Sequence, residues 1–102
     1  MLEHYVVFRP RPGRERALAR ALTELSEGLA GEVPGMTDLT WGDNTNPSGL
    51  DRGFTHGCLG RFTDREAFEG YWAHPAHERF MHVLDDICED RFALDYTSRT
   101  SG

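Results

Sequence analysis

The stretch GFTHGCLGRFTDREAFEGYWAHPAHERFMHVLDDI, residues 53–87, decides the fold. Its opening, Phe54 to Phe62, reads as a strand with Phe54, His56, Cys58, Gly60 and Phe62 on one face. Thr63-Asp64-Arg65-Glu66 has the form of a capping box, with the Thr63 hydroxyl accepting from the Glu66 amide, and predicts a helix from Asp64. That helix carries Ala67, Phe68, Tyr71 and Trp72. It must break before Pro75, because the residue preceding a proline is driven out of the helical region. Pro75 then suits the first turn of a new helix, where its missing N–H costs nothing. His77, Phe80, Leu84 and Ile87 recur at spacings of 3, 4 and 3, so His77 lies on an apolar helical stripe. Asp85, Asp86, Glu89 and Asp90 are expected to face water.

Upstream, Leu2 to Arg9 is rich in Val, Tyr and Phe and predicts a strand. Leu2, His4, Val6 and Phe8 share one face, and Glu3, Tyr5, Val7 and Arg9 the other. Pro10 and Pro12-Gly13 stop it. Leu18, Leu22, Leu25 and Leu29 form one apolar stripe, which predicts a helix from Arg14 to about Ala30. Met36 to Trp41 reads as a second, weaker strand. Gly42 to Gly53 reads as a long loop, a candidate lid or interface element. Phe92 to Thr97 reads as the last strand, and Ser98 to Gly102 as a flexible tail.

The order strand, helix, strand, strand, two-part helix, strand is a ferredoxin-like βαββαβ arrangement. It predicts a single α+β domain over residues 1–97, a four-stranded antiparallel sheet with helices on one face. The other sheet face needs a cover, and a second copy of the chain is the natural one.

Composition bounds the function. The net charge of −6 would be repelled by phosphate backbones, so nucleic acid is not an expected partner. Arg9, Arg11, Arg14 and Arg16 cluster near the first turn and read as a solvated surface. No apolar run is long enough to span a bilayer, so no membrane partner is expected. Cys58 and Cys88 form no C-x-x-C pair and no disulfide framework, which fits a reduced, cytoplasmic protein. There is no lysine, no G-x-S-x-G and no glycine-rich phosphate loop.

Four polar residues fall on faces expected to be buried: His4, His56, Tyr71 and His77. A lone buried histidine is most often satisfied by a carbonyl, whereas several imidazoles and a phenol converging can satisfy one another or line a pocket. Val6, Phe8, Cys58, Trp72 and Phe80 would supply the apolar wall. Imidazole suits general acid–base work near neutral pH, and a neighbouring phenol can donate to a developing enolate. The same groups could orient a ligand without reacting. His74 and His77 stand at a spacing that can share a metal, but no third ligand is well placed, and no metal or cofactor is expected.

Glu3-His4, Gly53-Phe54-Thr55-His56, Phe62-Thr63, Tyr71, His74-Pro75-Ala76-His77 and Leu94-Asp95-Tyr96 together resemble the stress-responsive A/B-barrel (Dabb) family. The resemblance runs from Met1 to about Thr97. It implies a ferredoxin-like protomer and a homodimeric α+β barrel with two sheets packed face to face. The family includes plant stress-induced proteins and a cofactor-free polyketide cyclase, which works by an intramolecular aldol step. That cyclase's catalytic tyrosine and histidine match Tyr71 and His77, its further pocket histidines match His4 and His56, and His74 also agrees. The chain departs from it in the first helix, where Leu22-Thr23-Glu24-Leu25-Ser26-Glu27 brings no aromatic residue to the pocket. It departs also at Trp72, aliphatic in the cyclase, and at Met81, a glycine there.

The resulting expectation is a small-molecule-binding protein with a polyketide-like ligand. In it His77 and Tyr71 would be catalytic, and His4, His56, Val6, Phe8, Cys58, Trp72 and Phe80 would bind substrate. Two alternatives stand beside it: a non-catalytic stress-responsive dimeric binding protein, and a cofactor-free monooxygenase or isomerase built on the same barrel.

Overall fold

The computed structural model describes residues 1–100. Its elements run β1 (Leu2–Pro10), α1 (Glu15–Leu29), β2 (Met36–Asp43), β3 (His56–Phe62), α2 (Arg65–Ala73), α3 (Pro75–Ile87) and β4 (Cys88–Thr97). All four strands join one antiparallel sheet in the order β2-β3-β1-β4. This is the ferredoxin-like α+β architecture that the order of sequence patterns predicts.

Alternation along β1 assigns the two faces. His4 and Phe8 are buried, and Tyr5 between them is exposed. Register carries the same parity across the sheet: Phe8 pairs with His56 and Arg91, Val6 with Cys58 and Ala93, and His4 with Gly60 and Asp95. The helices cover this inner face. Leu18, Leu22, Leu25 and Leu29 of α1 pack with Phe68 of α2 and with Phe80, Leu84 and Ile87 of α3. At Gly28 an added Cβ would stand only 3.0 Å from Ala76 Cβ, so the missing side chain sets how closely α1 approaches the start of α3.

Boundaries shift by one or two residues at β1, α1 and β2, and three further differences from the sequence reading change a local argument. The N-cap of α2 is Asp64, not Thr63: the Asp64 carboxylate accepts from the Ala67 amide at 2.9 Å, and the helix starts at Arg65. Asp and Thr are adjacent and both cap well, so the frame shifts by one residue and the Thr63–Glu66 box does not form. The last strand begins at Cys88, four residues before the expected Phe92. Glu89 and Asp90 look like a continuing wet helix face, yet α3 ends at Ile87, and the two acids lie on an edge strand. The third strand starts at His56, and Phe54 and Thr55 belong to the loop before it.

Three of the arginines near the first turn, Arg9, Arg11 and Arg14, are engaged. Arg11 Nε donates to the Asp86 carbonyl at 3.1 Å, and the Arg11 amide to the Ile87 carbonyl at 2.8 Å, at the C-terminus of α3. A cation there complements the helix dipole and its unpaired carbonyls. Arg14 pairs with Asp86 and Arg9 with Glu89. At the other end, the Ser98 amide donates to the Met1 carbonyl at 2.9 Å, extending the β1–β4 ladder past Thr97. Of the expected tail, residues 101 and 102 lie outside the described residues.

Replacing Asp64 with Ala removes a helix cap and is expected to cost about 0.5–2 kcal/mol in urea unfolding. Thr63→Ala is expected to change stability by less than about 0.5 kcal/mol, as a surface substitution away from a cap does.

Candidate active site

The break between α2 and α3 builds the site. In a continuous helix the Tyr71 carbonyl would accept from residue 75 and the Trp72 carbonyl from residue 76. Pro75 has no N–H to give. The Ala76 amide is taken by His74, whose Nδ1 accepts it at 3.0 Å as the side-chain cap of α3. The Tyr71 carbonyl turns to the His74 amide at 3.1 Å. The Trp72 carbonyl accepts from His77 Nδ1 at 3.1 Å. Tyr71 in the last turn of α2 and His77 in the first turn of α3 therefore meet, with ring centroids 4.7 Å apart.

Because a carbonyl can only accept, that bond places the His77 proton on Nδ1 and leaves the Nε2 lone pair free in the neutral ring. Burial lowers the His77 pKa from its usual value, and nearby His4 lowers it further, against the opposing effects of the Trp72 carbonyl and Glu78. His77 is thus a neutral base near pH 7. Tyr71 is shifted the other way. Burial, then the neighbouring Cys58 and Asp95, raises its pKa well above the usual value for a phenol. Tyr71 therefore stays protonated, with an O–H available to donate.

His4 joins from the sheet. Its ring centroid is 5.7 Å from that of Tyr71, and its Nδ1 donates to Asp95 Oδ1 at 2.5 Å, directly across the β1–β4 pair. Asp95 fixes the tautomer of His4 as the Trp72 carbonyl fixes that of His77. The residue types gave no cue to Asp95 as a partner. The cue was parity: once Asp95 is opposite His4, its carboxylate has to share the inner face.

His4, Tyr71 and His77 line one cavity of about 130 Å³, with Val6, Phe8, Cys58, Trp72 and Phe80 among its walls. Met81, Leu84, Arg91, Phe92 and Ala93 complete the lining and were not singled out in the sequence as site residues. The cavity opens at the sheet edge, because the helices do not reach over β4: Ala93 and Asp95 face inward yet are exposed. Trp72, 52% exposed, stands at this opening with its ring 4.6 Å from that of His77. The Cys58 thiol is pushed up to about 12 by burial, so it is a wall and not a nucleophile.

His56 does not belong to this group. It is buried on the same sheet face, but it pairs with Asp43 (Nε2 to Oδ1, 3.3 Å) and with the Thr55 hydroxyl at 2.7 Å, beside Trp41. It lines a different, more open depression with Trp41 and Asp43. The reason is register: His56 is opposite Phe8, at the far end of β1 from His4, and the Phe8 ring stands against Phe80. His74 is also outside the cavity. Both its nitrogens are engaged, Nδ1 by the Ala76 amide and Nε2 by Glu32 at 2.7 Å, so it has no lone pair to share with His77 in a metal site. Among the described residues no group of three or more His, Cys, Asp or Glu is placed to hold a metal ion.

The family follows from comparison with known proteins. The Stress responsive A/B Barrel Domain (Dabb) family matches residues 2–98. The chain belongs to the Dabb family. It is 26% identical to olivetolic acid cyclase of Cannabis sativa over 98 residues, covering 96% of this chain and 97% of that one. It is 31% identical over 78 residues to the stress-response A/B barrel domain-containing protein HS1 of Arabidopsis thaliana, covering 74% of this chain and 72% of that one. Among solved structures, a dimeric ferredoxin-like protein of unknown function from Jannaschia sp. CCS1 superposes with a TM-score of 0.86 at 28% identity. That match covers 95% of this chain and 98% of the other. Among the described residues of this Dabb protein, no helix is long and apolar enough to cross a membrane.

The depressed pKa of His77 has a sign for stability. Above about 6.5, the ordinary histidine pKa, the ring is neutral folded and unfolded, and the shift has no effect. As pH falls below that value, the unfolded chain takes up the proton first and stability declines, until pH passes the folded pKa and the decline levels off. NMR titration of the His77 ring is expected to give a midpoint below about 6.5.

Proposed function

We propose that this Dabb protein binds a small polycarbonyl compound beside Tyr71 and His77 and closes it into a ring without a cofactor. The observation that carries the reading is the Tyr71–His77 contact at the wall of a cavity, with His77 Nδ1 committed to the Trp72 carbonyl. Similarity to a cyclase over almost the whole chain supports the same chemistry.

In this mechanism His77 Nε2 removes a proton from a carbon between two carbonyls. The Tyr71 hydroxyl donates to the enolate oxygen as its charge develops. The enolate carbon attacks a second carbonyl of the same molecule, and a C–C bond forms. The resulting alkoxide takes the proton back from the His77 imidazolium. His4, held by Asp95, orients the carbonyl or relays the proton. The apolar walls favour a neutral His77 before reaction and exclude water from the enolate. His56, with its own partners outside the cavity, has no part in these steps.

A second reading rests on the likeness to HS1. The cavity then holds a ligand without turning it over, and His4, Tyr71 and His77 only recognise it. Proton exchange separates the two. The α-protons of a 1,3-diketone in deuterated buffer, followed by NMR, are expected to exchange faster with the protein than without it. His77→Ala is expected to lower that rate by about 10²–10⁴-fold, as loss of a general base does. Tyr71→Phe is expected to lower it by about 10²–10³-fold, as loss of an oxyanion donor does. Binding with no protein-dependent exchange selects the second reading.

The protein acts as a homodimer through the sheet face that the helices leave bare. Tyr5, Phe92, Leu94 and Tyr96 are all exposed there, and Tyr5 stacks on Tyr96 with centroids 5.9 Å apart. An apolar patch of this kind marks an interaction surface, and the Jannaschia protein of the same fold is dimeric. The free, buried Cys58 and Cys88 fit a reducing, cytoplasmic setting. Leu94→Asp is expected to shift the mass measured by light scattering from two chains toward one.

A further inference from the structure

Arg91 is the one formally charged residue lining the cavity besides the histidines, and nothing in the proposed ring closure uses it. It is opposite Phe8 in the β1–β4 pair, so its side chain starts on the inner face, at the sheet edge that the helices leave open. Its side chain is about one-third exposed, whereas His4, Tyr71 and His77 are almost fully buried. The cavity is therefore polar at both ends: an acid–base group inside, a guanidinium at the opening, and Val6, Phe8, Phe80, Met81 and Leu84 between them.

The guanidinium is under-used. Among the described residues its side chain makes one hydrogen bond, from NH2 to Asp85 Oδ1 at 3.1 Å, of the five it can donate. The Asp85 carboxylate is 76% exposed, so water competes for this pair and screens it. The other neighbouring acids do not claim the guanidinium: Asp86 pairs with Arg14, Glu89 and Asp90 pair with Arg9, and among the described residues the Asp90 carboxylate otherwise accepts only from the Arg91 backbone amide. An arginine fork with free donors at the rim of an apolar cavity matches a carboxylate in charge and shape.

Size limits what lies behind that carboxylate. The cavity measures about 130 Å³. Apolar cavities of about 150 Å³ take up benzene, so this one accommodates about one six-membered ring.

We infer that Arg91 is the specificity-determining residue of this site, and that the site takes ring-sized carbonyl or phenolic compounds bearing a carboxylate, which Arg91 binds at the opening. The inference rests on the proposed reading of the cavity and adds the class of molecule to it. In this arrangement the anionic group anchors the molecule at the β4 edge. The oxygen-bearing end is thereby directed toward Tyr71 and His77.

The test is a matched pair of probes, 4-hydroxybenzoate and the neutral 4-hydroxybenzamide, titrated into the full chain and followed by the ring resonances of His4 and His77. Both are expected to perturb these resonances, with the carboxylate bound about tenfold more tightly, the scale of one charge-assisted hydrogen-bonded pair. Arg91→Gln is expected to erase the preference by weakening the carboxylate toward the amide, and Arg91→Lys to keep part of it. Equal affinities in the wild-type chain would overturn the role of Arg91 and leave the cavity reading intact. A preference that survives Arg91→Gln would do the same. Failure of both probes to move His4 and His77 would overturn the cavity reading, and the role of Arg91 with it. Because the wild-type comparison needs no variant, the outcome does not depend on how Arg91→Gln folds.

Discussion

A proline without an N–H, placed after a histidine that can cap a helix, organises this protein. His74-Pro75 cuts one helical run into α2 and α3 and leaves two carbonyls without their usual donors. His74 takes the Ala76 amide, the Tyr71 carbonyl takes the His74 amide, and the Trp72 carbonyl takes His77 Nδ1. Each bond answers a group that the break left open, as buried backbone groups require. The outcome is a phenol and an imidazole held ring to ring, with the imidazole tautomer already chosen. The geometry of the site is thus a consequence of how two helix ends are satisfied.

The environment then divides the labour between the two groups. Burial disfavours the charged form of each, and for a base and an acid that means opposite shifts: His77 is pushed down and Tyr71 up. Both are neutral at the same pH, one with a free lone pair and one with a proton to donate. His4 is held differently, by a carboxylate across the strand pair. Because Asp95 is inward-facing but exposed, the His4–Asp95 pair marks the boundary between the sealed and open parts of the site.

The sheet leaves open surface on both faces because its helical cover is narrow. Over β1 and β3 the inner face is sealed, and Phe8 and Phe62 are fully buried. Over β4 it is not, and the cavity opens there beside Trp72 and Arg91. The outer face carries an aromatic and aliphatic surface with no cover of its own. Asp86 near the end of α3 and Glu89 and Asp90 at the start of β4 pair with Arg14 and Arg9, from the turn after β1 and from β1, so the edge next to the cavity is not a bare acidic patch.

Local pattern alone determined much of this protein. Alternation in Leu2–Arg9 assigned His4 to the inner face, the 3.6-residue period assigned His77 to the core side of its helix, and Pro75 announced the break between Tyr71 and His77. These inferences worked because strand parity, helical phase and proline stereochemistry act over a few neighbouring residues. Tertiary structure decided which of the inward-facing groups meet. His56 has the same parity signal as His4, yet it faces the opposite end of β1, because an antiparallel register runs the two strands in reverse. Asp95 and Arg91 became part of the site only through the β1–β4 register and the incomplete helical cover. His74, which spacing alone would let share a metal with His77, is a cap, because hydrogen-bond demand at the helix break takes its lone pair. Spacing along a chain sets which face a side chain occupies; only strand pairing and layer packing set how far apart two such faces' residues lie.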